Sequence, residues 1–201
     1  MVWEELRDLL VEHSYRYSDE ATFPLSSGRR SHFYIDCKPT TMRRDAARLI
    51  AESFDRHLPA DAAAVGGLTM GADPIAYAVR DLSSRNLDAF VVRKEPKKHG
   101  LRQRIEGPVR PGMRVVVVDD VVTTGQSTIT AVSACRDEGL VVVGVVVLVD
   151  REEDDGMQKI RDAVGPDVPV AAVFTKTDLH DRWQSKDRGD RDTSRPRAAT
   201  G

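Results

Sequence analysis

Cysteine, net charge and long apolar runs are all scarce in this 201-residue chain. Two cysteines, Cys37 and Cys135, show no metal-binding spacing, so they read as free packing thiols in a reducing compartment rather than as a disulfide framework or zinc site. The formal net charge of −2 leaves the whole molecule without a nucleic-acid signature. No apolar run approaches the length that spans a bilayer. The first fourteen residues, MVWEELRDLLVEHS, lack both a basic n-region and an apolar h-region, which leads us to expect a cytoplasmic protein with no membrane partner. Two familiar phosphate loops are missing as well: neither a Gly-Lys-Ser/Thr ending nor a GxGxxG occurs, and there are no clear internal repeats.

Against these absences, residues 114–129 stand out, reading RVVVVDDVVTTGQSTI. An unbroken β-branched run suits a strand buried on both faces, as in a parallel sheet. Two adjacent acids end it, Asp119 and Asp120, and the small-residue turn Thr123-Thr124-Gly125-Gln126-Ser127 leads to a helix start. Such a turn can aim backbone N–H groups and hydroxyls at one point beside the positive end of the helix, which makes a phosphate cradle. Carboxylates do not bind phosphate, but they can hold sugar hydroxyls or help place a hydrated metal. Phosphate with an adjacent ribose is the ligand this implies.

The rest of the chain alternates helix and strand. Helices are expected near residues 1–13, 41–58, 73–82, 126–138 and 155–164, and strands at 61–65, 87–92, 115–119, 140–149 and 168–174. Pro74 suits a first helical position, and Gly139 a helix stop. Residues 66–71 read as a glycine-rich turn, and 23–39 as a hairpin. This order predicts an α/β fold with a mostly parallel sheet flanked by helices, carrying its ligand at the carboxyl ends of the strands. One domain is expected over residues 1–180, with a small N-terminal hood to about residue 40 and a core beyond it. The charged segment 181–201, nearly free of aliphatic residues, is expected to be a disordered tail.

Residues 93–107, RKEPKKHGLRQRIEG, concentrate cations unfavourably unless an anion or solvent compensates. A diphosphate would need several such donors at once. Gly100 and Gly107 would let the segment open and close over a ligand. The plainer readings are a solvated surface loop or a nucleic-acid patch, and the lack of interleaved aromatics argues against base stacking. His13, His57 and His180 lie away from every such segment and read as surface or packing residues, and Ser127 lacks a GxSxG frame.

These segments carry a resemblance. Residues 114–129 resemble the phosphoribosyl-diphosphate (PRPP) motif of type I phosphoribosyltransferases. RKExKxHG followed by IEG resembles the catalytic loop of the orotate phosphoribosyltransferases, FPLSSGRRS their hood, VGGLTMGADP their diphosphate loop, and LVDR their base-binding turn. All occur between residues 23 and 151 in the family's order. The resemblance implies the type I phosphoribosyltransferase fold and a Mg²⁺-dependent pentosyl transfer. Ribose 5-phosphate would pass from PRPP to orotate, giving orotidine 5′-monophosphate and diphosphate in de novo pyrimidine biosynthesis.

It also implies site residues. Asp119 and Asp120 would meet the ribose hydroxyls, with Mg²⁺ nearby and held mainly by substrate and water. Val121, Val122, Thr123, Thr124, Gly125, Gln126 and Ser127 would surround the 5-phosphate. Thr69, Gly71, Arg93, Lys94, Lys97 and His99 would serve the diphosphate, with Lys97 and His99 as catalytic cations. Orotate would meet Thr123, Arg151, Ser26 and Tyr34. The implied assembly is a homodimer in which residues 93–107 complete the neighbouring site, with no nucleic-acid partner. Ser26 and Gly71 stand where many relatives carry lysine, and Phe33-Tyr34-Ile35 where relatives often have two phenylalanines.

Overall fold

The computed structural model describes residues 1–24, 30–95 and 104–193. Its centre is a six-stranded sheet of order β10-β9-β8-β5-β6-β7. The strands are β5 (Ala64–Leu68), β6 (Asp88–Val92), β7 (Ile105–Glu106), β8 (Arg114–Val122), β9 (Val141–Asp150) and β10 (Val170–Thr175). All pairings are parallel except the short edge strand β7 against β6. β8 and β9 are interior strands, and Val115–Val118 and residues 142–149 are buried, as the apolar runs predicted. Side chains alternate between faces: Val116 and Val118 point into one core layer, Val115 and Val117 into the other. Each valine so buried contributes about 1.5–3 kcal/mol relative to exposure.

One face is covered by α1 (Val2–His13), α3 (Arg44–Asp55) and α4 (Ala72–Leu82), which supply Leu6, Leu10, Ile50, Phe54, Ile75 and Val79. The other is covered by α5 (Gln126–Asp137) and α6 (Gly156–Val164), which supply Ala131, Val132, Cys135, Met157 and Ile160. Both cysteines are buried free thiols, and burial raises Cys135 to about 12, where it is inert.

The hood consists of two small antiparallel pairs. β1 (Tyr15–Tyr17) pairs with β4 (Phe33–Ile35), and β2 (Phe23–Pro24) with β3 (Arg30–Ser31). The short helix α2 (Lys38–Thr41) then joins hood to core.

Two segments depart from the sequence expectation. Residues 66–68 continue β5 rather than turning. A β-carbon at Gly66 would strike the Phe90 backbone and ring, and one at Gly67 the Val118 carbonyl, so these glycines permit close strand packing. The second correction concerns residues 181–193, expected as disordered tail: α7 runs over Lys176–Thr193. Its start is docked, not merely helical. Leu179 is fully buried, Tyr15 Oη bonds His180 Nδ1 at 2.8 Å, and Trp183 packs on Tyr17 with centroids 4.9 Å apart. Arg182 makes a bidentate bond to Asp8, at 2.5 and 2.8 Å. Leu179 and Trp183 were too few to signal an apolar face in so charged a segment.

Candidate active site

β8 runs four residues beyond the Val115–Val118 run, through Asp119 and Asp120 to Val122, so both acids emerge at its carboxyl end. The chain then turns at Gly125 (φ 77°) into α5. A side chain at that position would be strained, and its β-carbon would crowd the Gly156 carbonyl at 2.7 Å. The first N–H groups of α5 thereby face the turn, where the helix dipole places about half a positive charge.

A cavity of about 500 Å³ opens there. Residues 121–128 line it together with Asp119, Arg151, Asp154, Tyr34 and Pro24. Thus Asp119, Val121, Val122, Thr123, Thr124, Gly125, Gln126 and Ser127 come together with Arg151 and Tyr34, while Asp120, expected beside them, is not part of the lining.

Asp119 is only 4% exposed. Thr128 Oγ1 donates to its Oδ2 at 2.7 Å, and the Asp120 N–H to its Oδ1 at 3.0 Å. Burial raises its pKa to about 7, against the Thr128 bond and with the Asp120 charge adding to the rise. Asp120 is also raised by burial, and the Lys38 ammonium 4.0 Å from its Oδ2 opposes that. Its Oδ1 accepts the Val121 N–H at 2.9 Å.

Arg151 follows β9 and is 8% exposed. Its backbone N–H donates to the Val122 carbonyl at 2.9 Å, which ties the β9 end to the acid-bearing strand. Its guanidinium carbon sits 5.5 Å from the Phe33 ring centroid. Glu153 Oε2 lies 3.1 Å from Nη2, yet among the described residues neither Nη2 nor Nε has an aligned hydrogen-bond acceptor. Buried guanidinium donors left in this way call for an anionic ligand. The turn beyond is held in left-handed backbone at Glu152, Asp154 and Asp155, with φ of 55°, 50° and 51°. Non-glycine residues rarely adopt such angles, so the surroundings must hold them there. Glu152 Oε2 accepts the Thr177 N–H and hydroxyl at 2.9 and 2.6 Å, tying this turn to the start of α7.

The remaining described candidates are not in the lining of that cavity. Thr69 follows β5, and its hydroxyl is engaged with Asp73 Oδ2 at 2.7 Å. Gly71 abuts Asp120 so closely that a β-carbon there would collide with the carboxylate. Arg93 and Lys94 follow β6 and are exposed, with Arg93 Nη1 3.5 Å from Glu106 Oε1. Ser26, Lys97 and His99 lie outside the described residues. The sequence reading missed Thr128, Asp154 and Lys38. Thr128 sits one residue beyond the recognised turn, and only the return of α5 over β8 brings it to Asp119.

Among the described residues, no group of three or more His, Cys, Asp or Glu side chains could hold a metal alone. Two adjacent carboxylates at the cavity do fit Mg²⁺, which prefers one or two carboxylates together with water and substrate oxygens. No described helix is long and apolar enough to cross a membrane.

Sheet order, acidic strand end and phosphate-sized turn together define the phosphoribosyl transferase class, and the phosphoribosyl transferase domain model matches residues 40–178. Orotate phosphoribosyltransferase of Corynebacterium glutamicum is 48% identical over 178 residues, covering 88% of this chain and 90% of the relative. That of Aquifex aeolicus is 43% identical over 180 residues, covering 88% and 96%. The crystal structure of Mycobacterium tuberculosis orotate phosphoribosyltransferase with Fe(III) dicitrate superposes with a TM-score of 0.77 at 38% identity, covering 89% of this chain and 99% of that one. The same enzyme solved with PRPP gives 0.69 at 34% identity, covering 89% and 91%. The chain belongs to the orotate phosphoribosyltransferase family.

Proposed function

We propose that this chain transfers ribose 5-phosphate from PRPP to orotate, releasing diphosphate and forming orotidine 5′-monophosphate for pyrimidine biosynthesis. The observation that carries this reading is a single cavity joining the turn at residues 123–127 to the buried Arg151 guanidinium, which Glu153 pairs on one side only. A phosphate at one end and an acidic base at the other match its two charged poles.

In this reading the N–H groups and hydroxyls of residues 123–127 hold the 5-phosphate, and Asp119 and Asp120 accept hydrogen bonds from the ribose hydroxyls. Arg151 pairs with orotate's carboxylate or ring oxygens, a task suited to a planar two-pronged donor. Thr123, Tyr34 and Ser26 complete the base side. Thr69 and Gly71 approach the diphosphate through backbone, and Arg93, Lys94, Lys97 and His99 through charge. Lys97 and His99 are the two candidates for protonating the leaving group. Mg²⁺, when bound, would be held beside Asp119 and Asp120 largely through substrate and water, and supplies positive charge that stabilises the departing diphosphate.

No covalent nucleophile is required. The C1–diphosphate bond loosens before the base nitrogen bonds, so the protein's work is alignment and stabilisation of the departing charge.

The assembly proposed is a homodimer, with residues 93–107 completing the partner's site. Exposed Met42, Tyr77 and Leu82 around one shallow depression support a second copy on that side. Purified protein incubated with PRPP, Mg²⁺ and either orotate or adenine tests the substrate. Orotidine 5′-monophosphate from orotate and no nucleotide from adenine is expected; the reverse preference would overturn the proposal.

A further inference from the structure

Lys38 opens α2, directly after the hood strand that carries Tyr34 into the cavity. Its Nζ lies 2.5 Å from Asp36 Oδ1 and 4.0 Å from Asp120 Oδ2. The same Asp36 oxygen accepts the Lys38 backbone N–H at 3.2 Å, so one carboxylate holds both ends of this residue. α2 is itself fixed to the end of α1. The Asp36 N–H donates to the Ser14 carbonyl at 3.1 Å, and Thr40 Oγ1 donates to the Leu9 carbonyl at 3.2 Å and bonds Ser14 Oγ at 2.6 Å. Cys37, between the two charged residues, is fully buried. The ammonium therefore reaches Asp120 from an anchored backbone.

Asp120 is confined from its other sides. The Val121 N–H holds Oδ1, and Gly71 leaves room beside the carboxylate without bringing a cation to it. Among the described residues, Lys38 is the cation paired with Asp120. At 42% exposure, a lysine in a plain surface ion pair would add little to stability, and Asp36 alone would satisfy it. Contact with a second acid, next in sequence to the cavity-lining Asp119 and Val121, points to another use.

We propose that Lys38, held by Asp36, is a positioning residue for PRPP: it keeps the Asp120 carboxylate aimed at the ribose hydroxyls and offsets one of two adjacent negative charges that the anionic substrate must approach. This rests on the reading of Asp120 as a ribose-binding carboxylate.

The test compares wild type with Lys38→Met, Lys38→Arg and Asp36→Asn. It measures the Kd for PRPP with Mg²⁺ by calorimetry without orotate, the KM for each substrate, and the ligand-free Tm. Lys38→Met is expected to raise the Kd and KM for PRPP by about tenfold, as loss of one close charge contact does, with the KM for orotate within about twofold. Lys38→Arg should recover most of that loss, and Asp36→Asn should show a smaller loss in the same direction. Lys38→Met binding PRPP within about twofold of wild type, or weakening orotate equally, would overturn the role. Should Lys38→Met fail to fold, Asp36→Asn decides: PRPP binding within about twofold of wild type, or equal weakening of orotate, would overturn the role. Wild type that does not bind PRPP would overturn the reading of the site, and this role with it.

Discussion

Burial keeps the Asp119 carboxyl protonated up to about pH 7, far above an ordinary aspartate. The raised value means that its contribution to stability is complete below the unfolded pKa of about 3.9 and is lost as pH rises through about 7. Ligand-free protein should therefore lose stability from about pH 4 to about pH 7 through this group, so that it is less stable at pH 8 than at pH 5. Asp119→Asn should flatten that slope and raise Tm at pH 8 by roughly 2–4 °C, the shift that about 1 kcal/mol produces in a domain of this size, while lowering turnover. Thermal unfolding with chelator present at both pH values checks this; an unchanged slope would contradict the burial argument. Arg151 poses the complementary case, a buried cation with donors to spare. Arg151→Ala should raise the KM for orotate by at least about 30-fold, the loss of roughly 2 kcal/mol from a desolvated charged pair, and leave the Kd for PRPP nearly unchanged. Steady-state kinetics against direct PRPP binding separates the two. Asp119 and the turn stood out in the sequence because they follow directly on one valine run, whereas Arg151 drew attention only through a family resemblance. Thr128 and Lys38 did not stand out, because each reaches an acid from an element whose path only the fold supplies.

The strands were most legible where the physics is least ambiguous, in the valine runs of β8 and β9. Glycine misled in β5, since the residue that frees a turn also lets strands approach closely, and neighbouring Phe90 and Val118 decide which applies. Composition misled in α7. Within this charged segment Leu179 is fully buried and Trp183 packs against the core. This helix holds α1 through Asp8 and Arg182, β1 through Tyr15 and His180, and the turn after β9 through Glu152 and Thr177. Leu179→Ala should cost about 2–4 kcal/mol, whereas breaking the more exposed Asp8–Arg182 pair should cost no more than about 1 kcal/mol. Denaturant unfolding of both variants compares them, and equal effects would mean that α7 is held by charge rather than by packing.

At the scale of the whole molecule, the alternation of helix and strand was enough to place the ligand at the carboxyl ends of a parallel sheet, and the cavity opens there. What a single chain's sequence does not display is where its exposed apolar side chains Met42, Tyr77 and Leu82 are covered. If residues 93–107 complete a neighbour's site, Lys97→Ala and Asp120→Asn subunits, each inactive alone, should complement when co-assembled. Random pairing in a two-fold dimer would restore about a quarter of wild-type activity, because half the dimers hold one intact composite site. No recovery in a confirmed mixed dimer would mean that each subunit builds its own site.

Coupled transfer at one cavity ties the loss of orotate absorbance to diphosphate release, and both can be followed together in one reaction with PRPP and Mg²⁺. One diphosphate should be released per orotate consumed, with neither change when orotate, PRPP or Mg²⁺ is left out. Diphosphate release that proceeds without orotate, or orotate left untouched by protein that binds PRPP, would contradict it.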